Sequence, residues 1–130
     1  MFATTQMPAL NLAFPDVCLT PMPAPVPVPY PNIATSATGV PAAYTVLIVC
    51  MPAHNLLTTI MISVGDTPGV AMGVVSHTVM FTSRNVTAAF TVLSWGIPTN
   101  RMCSITIANL YNCPGATVTP SQIKVLILAP

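Results

Sequence analysis

The sequence predicts a small all-β domain, and three observations support this prediction. Fifteen of the 130 residues are proline, which removes a backbone N–H and clashes with the preceding helical turn. Val, Ile, Thr and Leu recur in short runs bounded by Pro, Gly or Asn, a pattern typical of strands. A whole segment is also repeated, since GVPAAYTVLIVCMP at 39–52 returns as NVTAAFTVLSWGIP at 85–98 with seven identical positions.

The elements follow from these patterns in chain order. Proline at nearly every second position of 21–31 predicts a stiff strap, either polyproline II or an edge strand. A weak helix is predicted at 53–58. Strands are predicted at about 44–50, 58–64, 68–74, 77–82, 88–95, 104–110 and 123–128.

The repeat has a third, truncated copy at the end of the chain. Residues 121–130, SQIKVLILAP, supply the Val-Leu core of the repeated strand and stop at a proline. The chain therefore has an internal threefold repeat, and such a protein fits a partner with threefold symmetry.

Composition excludes several functional classes. Only five residues are charged and the net charge is +1, so the chain lacks the basic patch that nucleic-acid binding needs. No run of about 20 apolar residues is available to span a bilayer as a helix. The N-terminus lacks the basic start and apolar run of a secretory signal, so export by the Sec route is not expected. The apolar surplus instead predicts a protein interface or a homo-oligomer.

Catalysis is not expected. The only two carboxylate side chains, Asp16 and Asp66, are fifty residues apart in the chain. Asp16 is expected to cap a turn, and Asp66 lies in a turn sequence. Ser76 and His77 are adjacent on a predicted strand, so their side chains would point to opposite faces. The chain is therefore predicted not to be an enzyme.

Four cysteines match no zinc-ribbon spacing. Without a signal peptide they are expected to be reduced thiols or metal ligands. Cys50 lies inside a predicted strand and is expected to be a buried apolar residue.

Several segments resemble one family. FPDVCLTP at 14–21 and PVPVPYPNIA at 25–34 are similar to the opening signature of the PAAR-like (DUF4150) family. MPAHNLLT at 51–58, SVGD at 63–66, GVVS at 73–76 and NCPGATVTPSQ at 112–122 follow in the family's order. The resemblance extends from about Phe14 to Leu128.

This resemblance implies a fold and a function. The fold would be a conical or truncated-pyramid β structure with three pseudo-symmetric lobes and a Pro-rich strap, in one domain at 14–130 after an N-terminal arm at 1–13. The protein would cap the trimeric VgrG spike of a type VI secretion system, one copy per trimer, and sharpen it for membrane puncture. It would remain in the bacterial cytoplasm until the spike is fired, and would then be secreted or delivered to the target cell with the spike. Without a fused toxin, it would act as a bare tip or adapt a separate effector or chaperone.

Two alternatives remain open at this point. A phage-tail spike tip fits the same sequence features. A surface-active coat protein fits the low charge, although such proteins depend on disulfides and a secretion signal.

The resemblance also implies zinc near the apex, held by histidine and cysteine ligands. The residues that match these roles are Cys18, His54, His77 and Cys113, with Cys103 as a substitute. The alternative is that Cys18 and Cys113 form a thiol pair or are simply packed side chains, and that each histidine is an ordinary hydrogen-bonded surface group.

The second copy of the repeat carries Trp95, flanked by Arg84 and Arg101. One interpretation is a core tryptophan beside two solvated arginines. The other is a docking site for an effector or chaperone, because only this lobe combines an indole with two cations.

Overall fold

The computed structural model describes residues 1–128, and within them it confirms the all-β prediction. A three-residue 3₁₀ turn at Ser36–Thr38 is the only helical element in this part of the chain. The twelve strands are β1 Leu10–Thr20, β2 Val26–Thr35, β3 Gly39–Val40, β4 Ala43–Ile48, β5 Met51–Ala53, β6 Thr59–Ile60, β7 Ser63–Val64, β8 Ser83–Asn85, β9 Ala89–Ser94, β10 Ile97–Thr99, β11 Ile105–Ala108 and β12 Cys113–Thr117.

Eight strands form one curled antiparallel sheet in the order β3-β6-β8-β11-β12-β1-β2-β7. The remaining four form two separate hairpins, β4 with β5 and β9 with β10. These hairpins are the two full copies of the sequence repeat. The fold therefore consists of one large sheet and a set of repeated hairpins.

A closed cycle of backbone hydrogen bonds joins the repeats where the hairpins end. Thr4 N donates to Asn100 O at 3.0 Å, Asn100 N to His54 O at 3.1 Å, and His54 N to Thr4 O at 2.9 Å. Three isolated β-bridges beside these bonds repeat the same threefold arrangement. They join Thr5 with Ala53, Asn55 with Thr99, and Arg101 with Ala3. We call residues 2–6, 52–56 and 98–102 the backbone ring.

The third member of the ring is the chain's own N-terminus. Ala3 N donates to Val125 O at 3.1 Å, and Ile127 N donates to Met1 O at 2.7 Å. The truncated C-terminal copy thus pairs with residues 1–3, and the two chain ends together replace a covalent hairpin. Of the predicted arm at 1–13, residues 1–3 make these contacts and the last four residues belong to β1, which begins at Leu10.

The core is made of small side chains. Ala3, Ala89 and Ile127 form one buried apolar group with Ile48 packed against it. Ala13, Ala108 and Cys113 form a second. Fully buried Asn, Thr and Ser residues outnumber large apolar ones, because strands that converge this closely leave little space between them.

Some local predictions are wrong. The segments at 68–74 and 77–82 are mainly turns, bends and irregular chain, because Met72, His77 and Met80 have left-handed backbone conformations that interrupt a strand. Residues 53–58 form no helix, because Ala53 and Asn55 are paired with Thr5 and Thr99 within the backbone ring. Cys50 is exposed, since it lies in the turn between β4 and β5 with φ 61°.

Other differences concern pairing. β1 and β12 were not predicted, because their prolines obscure the alternation that marks a strand. Within the strap, Val26 begins β2, which pairs with β1 and meets β7 only at Ile33 and Ala34. Its proline-rich half is thus an edge strand. No helix among residues 1–128 is long and apolar enough to cross a membrane.

Candidate functional site

A group of buried polar side chains lies at the far end of β1 from the backbone ring. Asp16, Cys18 and Asp66 each have no exposed surface. One ligand atom from each lies within 4.8 Å of the other two. We call these three residues, with Asn109 and Asn112, the acidic cluster.

An irregularity in β1 turns Asp16 and Cys18 inward. Asn11 and Ala13 are buried in the first half of the strand, whereas Asp16 and Cys18 are buried in the second, so the alternation changes parity. The pairing of β1 with β2 shifts register between Ala13 and Asp16. An extra residue in one strand produces this change, because successive side chains point to opposite faces.

Asp66 lies in the loop that follows β7. This loop bonds along the end of β1, where Leu19 N donates to Met72 O at 2.8 Å and Val74 N donates to Val17 O at 3.0 Å. A Cβ atom on Gly69 would lie 2.3 Å from the Cβ of Cys18. The close approach of loop and strand therefore requires glycine at position 69.

The third side of the acidic cluster comes from the turn between β11 and β12. Asn109 Nδ2 donates to Asp66 Oδ2 at 3.0 Å and to Thr78 O at 2.9 Å. Asn112 Nδ2 donates to Asp16 Oδ1 and to Val17 O. The chain separations that relate Thr4, His54 and Asn100 also relate Asp16, Asp66 and Asn112. The three repeats thus converge at the acidic cluster as they do in the backbone ring.

The acidic cluster has an excess of negative charge and of hydrogen-bond acceptors. The hydrogen-bond partners described for the two carboxylates are amide N–H groups, the Cys18 thiol and the backbone N–H of Met80, and none is a cation. Asp66 Oδ1 is buried without a partner. Asn32 Nδ2 lies 2.5 Å from Asp16 Oδ2, while Oδ1 of the same buried amide has no partner. Unpaired buried groups of this kind are costly.

The same charges act on two thiols. Burial, followed by the charge of Asp16 and a hydrogen bond to it, raises the pKa of Cys18 to about 12. Burial, followed by the charges of Asp16 and Asp66, raises the pKa of Cys113 to about 12. Both thiols are therefore protonated at neutral pH when no cation is bound.

The predicted zinc ligands are not brought together. Cys18 belongs to the acidic cluster, and Cys113 is buried near enough to sense its charges. His54 lies instead in the backbone ring, where its Nε2 is 3.0 Å from Gln6 Oε1 and burial lowers its pKa to about 4. His77 is exposed. Cys103, the predicted substitute, is exposed as well.

The acidic cluster still suits a metal ion. Tetrahedral zinc with bonds of about 2.3 Å to sulfur and about 2.0 Å to oxygen separates such ligands by about 3.5 Å. Cys18 Sγ lies 3.5 Å from Asp16 Oδ1 and 3.8 Å from Asp66 Oδ2. The group therefore has the spacing to hold a metal, with ligands that differ from the predicted set.

The sequence interpretation missed the two aspartates because each lies in a turn sequence. A signal was nevertheless present, since these are the only carboxylate side chains in the chain. They also occupy equivalent positions of the repeat. Two rare charged residues at matching repeat positions indicate a shared site on the pseudo-threefold axis.

The hairpins carry a second candidate surface, which is apolar. Tyr44 and Leu47 on β4 and their repeat equivalents Phe90 and Leu93 on β9 are all more than half exposed. The first two hairpins also touch each other, since the rings of Tyr44 and Trp95 meet edge to face with centroids 6.1 Å apart. Trp95 is half exposed, so it does not fill a lobe core.

Comparison with known proteins gives one match. The family model described as the toxin PAAR-like domain matches residues 9–115. No curated protein and no solved structure matches the chain.

Proposed function

This chain belongs to the toxin PAAR-like domain family, and from that membership we propose that it is the tip of a contractile injection spike. In this role one copy caps a trimeric β-helical spike protein of the VgrG type. The role is mechanical and not catalytic. A separate effector or chaperone would bind to the tip or travel with it.

The backbone ring is the observation that carries this proposal. A single chain placed on the end of a trimer must offer three similar contacts around one axis. In the backbone ring, Thr4, His54 and Asn100 exchange hydrogen bonds in a closed cycle, and the bridges on either side repeat the rotation. The chain therefore has the symmetry that a threefold partner requires.

The hairpin surface is the face that we assign to the spike. The β4–β5 and β9–β10 hairpins present matched exposed apolar residues, and the third position is filled by the paired chain ends, with Leu126 exposed. Apolar area of this kind is costly in water and is stabilised when a partner covers it. The acidic cluster, at the far end of β1, would then lie toward the puncturing apex.

The test is co-expression of the chain with a trimeric VgrG-type protein, followed by native mass spectrometry of the purified complex. We expect one chain per trimer. The double variant Leu47→Ser and Leu93→Ser should weaken binding at least ~10-fold, because each change exposes a polar group to the apolar contact. The matched control is Val70→Ser, since Val70 is as exposed as Leu47 but lies in the loop beside the acidic cluster.

Two outcomes would overturn the proposal. One is the absence of a complex with the wild-type chain under conditions where both proteins are folded. The other is a loss of binding in Val70→Ser that equals the loss in the double variant, because it would move the contact away from the hairpins.

A further inference from the structure

We propose that a groove beside β8 binds an acidic peptide segment of a partner protein, in which an apolar side chain lies next to a carboxylate. The groove has a volume of about 300 Å³ and is lined by Leu56, Leu57, Arg84, Asn85 and Val86. It lies where the end of the first repeat meets the start of the second, and we call it the Arg84 groove. This inference does not depend on binding to a spike.

The first support is that the two repeats separate at this point. The pairing of β6 with β8 begins at Thr59 and Arg84. Leu57 N does not extend this pairing, because it donates to Asn55 Oδ1 at 3.1 Å within its own turn. Within residues 1–128, no hydrogen bond is described between 56–57 and 84–86. The two segments therefore leave a groove between them.

The two equivalent junctions of the fold are closed by hydrogen bonds. Between the second and third repeats, Cys103 N donates to Thr117 O at 2.9 Å. Between the N-terminal segment and the first repeat, Gln6 Nε2 donates to Ala37 O at 2.7 Å and to Gly39 O at 3.0 Å. The Arg84 groove is thus a departure from the pseudo-threefold symmetry, and the repeat alone does not account for it.

The second support is a cation without a partner. Arg84 is exposed, and in the part of the chain that the structure describes its guanidinium makes no hydrogen bond or ion pair. The first copy of the repeat has Thr38 at the equivalent position, so the charge is particular to this junction. A guanidinium binds a carboxylate through two parallel hydrogen bonds. The groove is therefore complementary to a ligand that carries an acidic group.

The third support is the apolar lining beside this cation. Leu57 is 61% exposed and Val86 is 44% exposed. A ligand that covers them removes apolar surface from water and also lowers the local dielectric constant, which strengthens the neighbouring ion pair. The ligand therefore needs an apolar side chain close to its carboxylate. Asp or Glu adjacent to Leu, Ile or Phe in a peptide meets this requirement.

Other occupants fit the Arg84 groove less well. The chain's own carboxylate side chains, Asp16 and Asp66, have no exposed surface, so a second copy of the chain offers no acidic side chain to Arg84. A single cation does not form the basic patch that nucleic acids or anionic membranes require. The volume is at the lower end of the range for ligand pockets and accommodates one or two side chains of a peptide.

The experiment begins with the selection of a phage-displayed library of random peptides on the immobilised full-length chain. We expect the wild-type chain to enrich peptides in which Asp or Glu lies beside Leu, Ile or Phe. Arg84→Glu should lose this motif and enrich Lys or Arg, because the charge of the groove is reversed. Lys124→Glu is the matched control, since it makes the same charge change at an exposed residue that does not line the groove. It should retain the wild-type motif.

The most strongly enriched peptide is then synthesised with a fluorescent label, and its affinity is measured by fluorescence anisotropy. Arg84→Glu should weaken binding at least ~10-fold, and Leu57→Ser should weaken it several-fold. Lys124→Glu should bind like wild type. Added salt should weaken binding to the wild-type chain much more than binding to Arg84→Gln, a response that a merely structural role of Arg84 would not produce.

The proposal is overturned if the wild-type chain, folded by circular dichroism, enriches no peptide or enriches peptides without an acidic residue. It is also overturned if the selected peptide binds Arg84→Glu as tightly as wild type, or if Lys124→Glu loses as much affinity as Arg84→Glu. Should Arg84→Glu fail to fold, the selection on the wild-type chain and the salt dependence of Arg84→Gln decide the question.

Discussion

The backbone ring and the acidic cluster both join the three repeats, but they do so with different chemistry. In the backbone ring, main-chain N–H and C=O groups of Thr4, His54 and Asn100 satisfy each other completely. In the acidic cluster, side chains of Asp16, Asp66 and Asn112 meet, and acceptors outnumber donors. Main-chain closure tolerates different side chains and needs no ligand. A cluster that is held together by carboxylates depends on particular residues and on a positive charge that balances theirs.

The largest expected effect comes from opening the backbone ring. Deletion of residues 1–6 removes one third of it and leaves buried N–H groups such as that of His54 without acceptors, each at about 1–3 kcal/mol. Three main-chain N–H groups, those of His54, Met102 and Ile127, lose their acceptors, and the total of about 3–9 kcal/mol is comparable with the stability of an ordinary domain, about 5–15 kcal/mol. We expect the truncated chain to lose cooperative thermal unfolding in circular dichroism, whereas Met22→Ala, on an exposed loop, should unfold like wild type. A cooperative transition near the wild-type Tm would show that the ring is dispensable.

The next effect should be a pH dependence that originates in the backbone ring. Burial lowers the pKa of His54 from 6.5 to about 4, so below pH 6.5 the unfolded chain binds a proton more readily than the folded one. The free energy of unfolding should therefore fall by at most about 3 kcal/mol as pH decreases from 6.5 to 4.

His54→Asn, which copies the repeat-equivalent Asn100, should remove this part of the pH dependence. His77→Gln should retain it, because His77 is exposed. Urea unfolding at several pH values measures the difference. Parallel pH profiles for wild type and His54→Asn would contradict the assignment.

A smaller effect should come from crowding the acidic cluster. In Gly69→Ala the new Cβ would lie 2.3 Å from the Cβ of Cys18, so loop and strand must separate at a cost of about 1–3 kcal/mol. Gly96→Ala is the control, because nothing lies within 4 Å of its Cβ and only its positive φ of 73° is unfavourable, at about 1 kcal/mol. Chemical denaturation compares the two, and equal losses would mean that the cluster accommodates the methyl group.

The smallest perturbation is chemical modification of the native chain, which compares the reactivity of its exposed and buried thiols. Cys50 and Cys103 are exposed, whereas Cys18 and Cys113 are buried and their pKa values are raised to about 12. Two thiols per native chain should react with a disulfide reagent at pH 8, and all four after denaturation. Rapid reaction of three or more would mean that the acidic cluster opens readily.

Sequence reasoning succeeded where the information was periodic. The all-β class, the repeated segment and the family all follow from the order of residues, and the two full copies of the repeat form matching hairpins. It failed where a residue's direction depends on an irregularity. A register shift in β1 decides that Asp16 points inward, and nothing in the alternation of FPDVC predicts it.

The sequence by itself therefore determined the kind of structure: proline and β-branched residues exclude helices, and the repeat imposes threefold organisation. Tertiary structure alone decided which groups meet. It made the third lobe from the two chain ends and separated the predicted ligands His54 and Cys18. It also gathered two aspartates from different repeats around one thiol. The physical reason is that strand propensity is local, whereas side chains distant in sequence meet only where register, bulges and loop closure place them.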